Sequence, residues 1–183
     1  MNKDDLAGRL VRLVSYEADR HAALLAAWNN DSEYARLLND TPAMLFNEKQ
    51  AKEFVEKQGH EFFFMIQTLA DEKVIGLVEL DGIKWTFRET YVGIGLGERE
   101  YWGKGYGTDA MMLILRYAFQ QLDLRRVSLT VYEYNPRAIR SYEKAGFQHE
   151  GRLRQALNRD GRRWDILMMG ILRDEWEARQ ASQ

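Results

Sequence analysis

The chain has 183 residues, 45% of them hydrophobic and 30% charged, with a formal net charge of −2, two prolines and no cysteine. That length suits one domain, residues 1–183, with a real core, and two prolines leave no room for a Pro-rich linker. The slight acidity speaks against nucleic-acid binding, the absence of cysteine excludes disulfides and thiolate metal sites, and no stretch approaches the ~20 apolar residues of a membrane span. The start "MNKDDLAGRLVRL" lacks the apolar core of a secretory signal, so the expected location is the cytoplasm, with neither nucleic acid nor membrane as partner. His21, His60 and His149 stand too far apart for metal-ligand spacing, and no metal is expected.

In chain order, "RLVRLV" is short and β-like, and residues 19–38 follow with helical spacing of Leu24, Leu25, Trp28 and Leu37, broken at Asn29-Asn30-Asp31, which predicts two short helices. Asn47 stands three residues before Gln50, the arrangement of a capping box, and opens a helix over "NEKQAKEFVEKQ". "EFFFMIQTL", "KVIGLVELDGI" and "ETYVGIGLG" read as an antiparallel meander. A helix through "DAMMLILRYAFQQL" precedes a strand in which Val127, Leu129 and Val131 alternate with Ser128, Thr130 and Tyr132. "NPRAIRSYEKAGF" is a helix capped by Asn135, started by Pro136 and stopped by Gly146, with Ala138, Ile139, Tyr142 and Ala145 on one face. Last come two strands around Asp160-Gly161, a strong hairpin signal. The apolar run "DILMMGIL" in the second of them fits either a dimer contact or, more plainly, the core.

Two sets of alternating glycines need a physical reason, because glycine loses more backbone entropy on folding than any other residue. Gly93, Gly95 and Gly97 bare one face of a strand whose other face carries Val92, Ile94 and Leu96, and either a ligand or a tightly packed helix fits that bare face. Gly103, Gly105 and Gly107 precede a helix. The glycine spacing matches neither a P-loop nor a dinucleotide fingerprint. What remains is a turn of exposed N–H groups at a helix N-terminus, an anion site by geometry and dipole that a pyrophosphate fits.

These residues carry a resemblance. "YWGKGYGTDA" resembles the acetyl-CoA pyrophosphate loop of the GNAT superfamily of N-acetyltransferases, with Trp102 where the general pattern has Gln or Arg, a departure shared by the RimJ/RimL-type and spermidine N-acetyltransferase branch. "VYEYNPRAIRSYEKAGF" is similar to the superfamily's later strand, asparagine and helix, and "EGRLRQALNRDGRRWDILMMGIL" to its closing hairpin, so the likeness covers roughly residues 60 to 173. It implies an α+β fold: a central mixed, mostly antiparallel sheet with helices on both faces. It also implies acetyl-CoA as cosubstrate, direct transfer to a primary amine and, as is common among relatives, a homodimer.

The same resemblance assigns roles. Backbone groups around Leu96 and Gly97 pair with the pantetheine arm, and those of Trp102, Gly103, Lys104, Gly105, Tyr106, Gly107 and Thr108 hold the pyrophosphate, with the Lys104 charge either helping or standing solvated. Asn135 bonds the cofactor arm as well as capping its helix. Tyr142 assists the leaving sulfur, by hydrogen-bond donation or by proton transfer coupled to product release, because an unperturbed phenol near pKa ~10 is a weaker acid than a thiol near ~8.5. Glu79 and Asp81 alternate in "GLVELDG" and either face a cationic acceptor, Glu79 then serving as base, or are surface carboxylates, and Glu89 stands before the glycine strand. Relatives carry a glutamate within that strand, whereas "TYVGIG" offers Tyr91 and no acid, so a water chain is an alternative base. The acceptor stays open among a polyamine, a protein N-terminus and other small amines. A non-catalytic acyl-CoA-binding module is the other class.

Overall fold

In the computed structural model the described residues are 6–42, 44–58 and 62–181, so His60 lies outside them. Local chemistry sets most element ends. Strand β1 (Val11–Ser15) leads into helix α1 (Ala18–Asn29), whose start is braced by the buried His21, its Nδ1 accepting the Glu17 N–H at 2.9 Å. Helix α2 (Ser32–Leu38) begins at the break in the sequence pattern because Asp31 caps it, its carboxylate accepting the N–H groups of Glu33 and Tyr34. Helix α3 (Glu48–Gln58) has the reciprocal capping box, with Asn47 N–H to Gln50 and Gln50 N–H to Asn47 both at 2.9 Å.

The meander is β2 (Phe62–Thr68), β3 (Val74–Lys84) and β4 (Glu89–Leu96), in register through Phe64, Val78 and Ile94. Helix α4 starts at Tyr106, earlier than the sequence pattern places it, so that Gly107 lies in its first turn; it runs to Arg116 and ends in a π-helical turn, Tyr117–Gln121, rather than continuing as one α-helix. Strand β5 (Arg126–Tyr132) and helix α5 (Pro136–Ala145) follow, the latter capped by Asn135 and closed by Gly146 at φ 109°. Strands β6 (Gln148–Arg159) and β7 (Arg162–Leu172) form the hairpin, with positive φ at both Asp160 and Gly161 as a type I′ turn requires, and α6 (Arg173–Ala181) closes the described chain.

All seven strands form one sheet in the order β1-β2-β3-β4-β5-β7-β6, antiparallel except between β4 and β5. Strand alternation gives it two buried faces. Ile66, Val78, Leu129 and Ile171 pack with Met111, Ile114 and Phe119 beneath α4 and α5, while Met65 points the other way, to Leu25, Trp28, Tyr34 and Ala51 of α1–α3. One face of the run "DILMMGIL" is core: β7 lies between β5 and β6, and Leu167, Met169 and Ile171 are buried, while Leu172 on the other face is exposed.

One feature of this sheet positions the site. The parallel pairing of β4 with β5 is confined to Glu89–Tyr91 against Arg126–Ser128, and beyond Tyr91 the two strands part.

Candidate active site

The parting strands open a cavity of about 430 Å³ whose walls include Ile94 and Leu96, Thr130 and Tyr132, the start of α4 and the inner face of α5. Ladder parity decides which backbone groups face it. The Gly97 N–H bonds Ile75 O at 2.9 Å, so Gly93, Gly95 and Gly97 direct their polar groups to β3 and Ile94 and Leu96 direct theirs toward the gap. The Leu96 carbonyl accepts from Trp102 Nε1 at 2.7 Å, which leaves the N–H groups of Ile94 and Leu96 facing the cleft. Gly97, expected to pair with the cofactor arm alongside Leu96, instead has its amide bound to β3.

At one end of the cleft, Gly103 (φ 73°) and Gly105 (φ 94°) adopt the left-handed conformation that turns the chain into α4. Gly105 is the N-cap and supplies no side-chain cap, so the first N–H groups of α4, those of Tyr106, Gly107 and Thr108, have no partner from it. A Cβ at Gly103 would meet nothing within 4 Å, and one at Gly107 would meet only Leu96 Cδ1 at 3.6 Å. Here the missing side chains leave real space. Asp109, the carboxylate of this first turn, is turned away and accepts the N–H groups of Arg9, Leu10 and Val11 at 2.8–3.2 Å, which keeps its charge engaged with the start of β1. Lys104 is exposed.

Trp102 links the two walls: its Nε1 holds β4 through Leu96 and its ring lies 3.8 Å beneath the Arg137 guanidinium of α5. Burial lowers Arg137 from its usual range, the mark of a cation drawn partly out of water. Below it Thr108 and Ser141 share a hydroxyl–hydroxyl hydrogen bond of 2.8 Å that ties α4 to α5. Neither Arg137 nor Ser141 was singled out in the sequence, although Arg137, Arg140, Ser141 and Lys144 recur at helical spacing and all line the cleft.

Asn135 is buried; its Oδ1 caps α5 by accepting from Ala138 N–H at 3.2 Å, and it lines the cleft. Tyr142 also lines it, packed beside Phe147, and burial pushes its phenol up to about 12.

The bare face of β4 is occupied. A Cβ on Gly97 would overlap the Trp28 ring, one on Gly95 would lie 2.5 Å from the Tyr34 hydroxyl oxygen, and one on Gly93 would lie 2.9 Å from Glu79 Oε1. Of the two explanations for these glycines, a packed neighbour holds, because α1 and α2 press Trp28 and Tyr34 onto the strand. Those helices, α3 and the loop before it enclose a second cavity of about 900 Å³. The two cavities share Tyr34, Leu38, Glu79, Gly93 and Ile94, so they meet across β4. Glu79 therefore stands at a junction, while Asp81, two residues on, is exposed at the cleft's edge. The Tyr34 hydroxyl is buried there with no hydrogen-bond partner. Among the described residues no cluster of His, Asp or Glu suits a metal, and no helix is long and apolar enough to cross a membrane.

Residues 10–148 match the family described as acetyltransferase (GNAT) domain. The chain is 34% identical over 119 residues to the SPbeta prophage-derived uncharacterized N-acetyltransferase YokL of Bacillus subtilis, covering 63% of this chain and 64% of that protein. It is 35% identical over 107 residues to spermidine N(1)-acetyltransferase of Vibrio cholerae, covering 58% of this chain and 61% of the relative. The matched stretch thus spans less than two thirds of either relative. Among solved structures, spermidine N-acetyltransferase from Vibrio cholerae in complex with CoA and spermine is similar with a TM-score of 0.82 at 26% identity, over 91% of this chain and 98% of that one.

Proposed function

The chain belongs to the GNAT acetyltransferase family, and from that premise we propose that it is an acetyl-CoA-dependent N-acetyltransferase acting directly on a primary amine. The observation that carries this is the parting of β4 from β5 beside an α4 N-terminus whose glycines leave space that no side chain fills. A pyrophosphate would fit there by charge and geometry: the first backbone N–H groups of α4 would bond it, and Arg137 would supply a partly desolvated cation at the wall.

Acetyl-CoA, when bound, supplies the acetyl group already activated as a thioester. The backbone from Trp102 to Thr108 would hold its pyrophosphate, with Lys104 adding charge at the rim. The Ile94 and Leu96 N–H groups would align the arm and place donors where negative charge develops on the carbonyl oxygen, with Asn135 presenting its amide to the same arm. Gly97 contributes shape rather than a donor. Tyr142 retains its proton, because transfer from a phenol near 12 to a thiolate near ~8.5 is uphill by roughly 5 kcal/mol. It would act as a hydrogen-bond donor to the departing sulfur. Glu79 is the group on the acceptor side that can hold an ammonium and receive its proton, and Asp81 adds negative potential at the entrance.

Calorimetry with acetyl-CoA, followed by an assay of thiol release in the presence of primary amines, tests this function. Binding heat with amine-dependent release is expected. Absence of acetyl-CoA binding overturns the proposal, and binding without release on any amine points to the non-catalytic module. A cytoplasmic location and a homodimer belong to the same proposal and are checked by cell fractionation and light scattering.

A further inference from the structure

Charge divides the lining of the β4–β5 cleft. Its carboxylates, Glu79 and Asp81, stand on β3, whereas its cations, Arg137, Arg140 and Lys144, all stand on α5. Positions 137, 140, 141 and 144 share one helical face, and Ser141 on that face is bonded to Thr108 in the first turn of α4. That contact sets the face against the start of α4, so the cations form a ridge beside the glycine turn. Glu143, the one acid of α5, lies off this face and bonds His149 Nε2 at 3.0 Å. Arg137 is held over the Trp102 ring, but the side chains of Arg140 and Lys144 are exposed and have no hydrogen bond or ion pair among the described residues. Like charges three and four residues apart repel along a helix. A solvated face ordinarily mixes the two signs, and the chain as a whole has a net charge of −2, so this ridge is a local positive field with no carboxylate paired to Arg140 or Lys144.

A pyrophosphate at the α4 start leaves part of this ridge over. The first N–H groups of α4 and Arg137 serve it, while Arg140 and Lys144 continue the ridge along α5 beyond Arg137. Resting on the assignment of the cleft to acetyl-CoA, we propose that Arg140 and Lys144 form a subsite for the phosphate monoester on the 3′ position of the cofactor's ribose, so that the protein selects coenzyme A over its 3′-dephospho form. A phosphate monoester carries about −1.5 to −2 charge near pH 7, which makes it the strongest anion the cofactor offers. It is one sugar removed from the pyrophosphate, so its seat lies near the glycine turn without being part of it, as these two side chains do. Arg140 brings a planar fork that phosphate oxygens accept in pairs, and Lys144 adds a mobile point charge. Their exposure suits the nucleotide end of the cofactor, which is remote from the thioester.

The experiment is calorimetry at low ionic strength with coenzyme A and 3′-dephospho-coenzyme A, in wild type and in the double variant Arg140→Gln, Lys144→Gln. Glutamine is a good helix former and both positions are exposed, so Tm should stay within about 2 °C of wild type. Wild type should bind coenzyme A at least about tenfold more tightly than the dephospho form, as charge-assisted hydrogen bonds to one phosphate provide. The double variant should bring that ratio to within about twofold, chiefly by weakening coenzyme A, and added salt should narrow the wild-type ratio in the same direction. Equal affinity for the two ligands in wild type overturns the inference and leaves the cofactor assignment standing. A ratio unchanged in the double variant, with both affinities lowered alike, overturns it too, since the cations would then act by general attraction and not as a seat. Binding of neither ligand sinks the cofactor assignment and the ridge with it.

Discussion

Gly93, Gly95 and Gly97 in β4 and Gly103, Gly105 and Gly107 around the start of α4 give the sequence the same signature, yet the space left by the missing side chains is filled in the first triplet and open in the second. Trp28, Tyr34 and Glu79 occupy the positions that side chains on β4 would take, whereas around Gly103 and Gly107 no protein atom comes closer than ordinary contact. The first triplet makes room for packed side chains, and the second leaves open space at the start of α4. Alternating glycine reports that a side chain is unwelcome without reporting what excludes it, and the two causes separate only when stability and binding are measured together.

The largest effect that sharpens this contrast belongs to chemistry on the open side. Tyr142→Phe should lower kcat and kcat/KM together by about 10²–10⁴-fold, since a donor acting in the transition state is lost, while acetyl-CoA affinity and Tm stay near wild type. A wild-type rate with chemistry limiting would make Tyr142 a core residue only. Next comes the filled side. Gly97→Ala drives a Cβ into the Trp28 indole, a rigid ring whose Nε1 is fixed to Glu98 at 2.9 Å. Overpacking of this kind costs about 1–3 kcal/mol, read as a Tm lower by roughly 3–10 °C in a domain of this size. Loss of acetyl-CoA binding in a variant with unchanged Tm would break the assignment of β4's glycines to packing.

Gly107→Ala is the counterpart. Gly107 has no positive φ, lies in the first turn of α4 and has room for a methyl group, so alanine should stabilise the protein by up to ~1 kcal/mol through helix propensity. If phosphate needs that same room, acetyl-CoA binding should weaken by about tenfold or more, a cost near 1.4 kcal/mol, and calorimetry beside thermal melts checks both signs. Gly105 is a poorer test, since at φ 94° any side chain strains the backbone regardless of ligand.

The smallest effect concerns the element that fills β4's bare face. Asp31 caps α2 and accepts from Arg99 Nε at 2.8 Å, which holds its carboxyl at about 2, below the ordinary 3.8. A depressed folded-state pKa contributes stability that is present above the unfolded value and is lost as pH falls through the folded one. Asp31→Asn should therefore cost about 1 kcal/mol at pH 7 after solvent screening. The gap between the two urea midpoints should close between about pH 4 and pH 2.

Much of this was legible in the sequence because it is decided within a few residues. Asn47 with Gln50, Asn135 with Pro136 and Gly146, and Asp160 with Gly161 act over one turn of chain, and the elements they bound are where the sequence puts them. The helix over residues 109–122 was legible only in part: its apolar spacing shows, but the left-handed Gly105 that starts it earlier and the π turn at Tyr117 that ends it do not. For the same reason, the turn at the start of α4 was readable as glycines before a helix, and its Trp102–Arg137 stack was not.

What the sequence by itself determined is therefore most of the elements, α6 excepted, the caps at Asn47 and Asn135 and the glycine turn before α4, all of them products of short-range sterics and hydrogen bonding. Only the tertiary structure decided that β4 and β5 part after Tyr91, that Gly97's amide belongs to Ile75, and that the Tyr34 hydroxyl comes to rest over Gly95 beside Glu79. Those contacts join residues tens of positions apart, and side-chain spacing along the chain carries no record of which distant surface will fill a face that glycine has left bare.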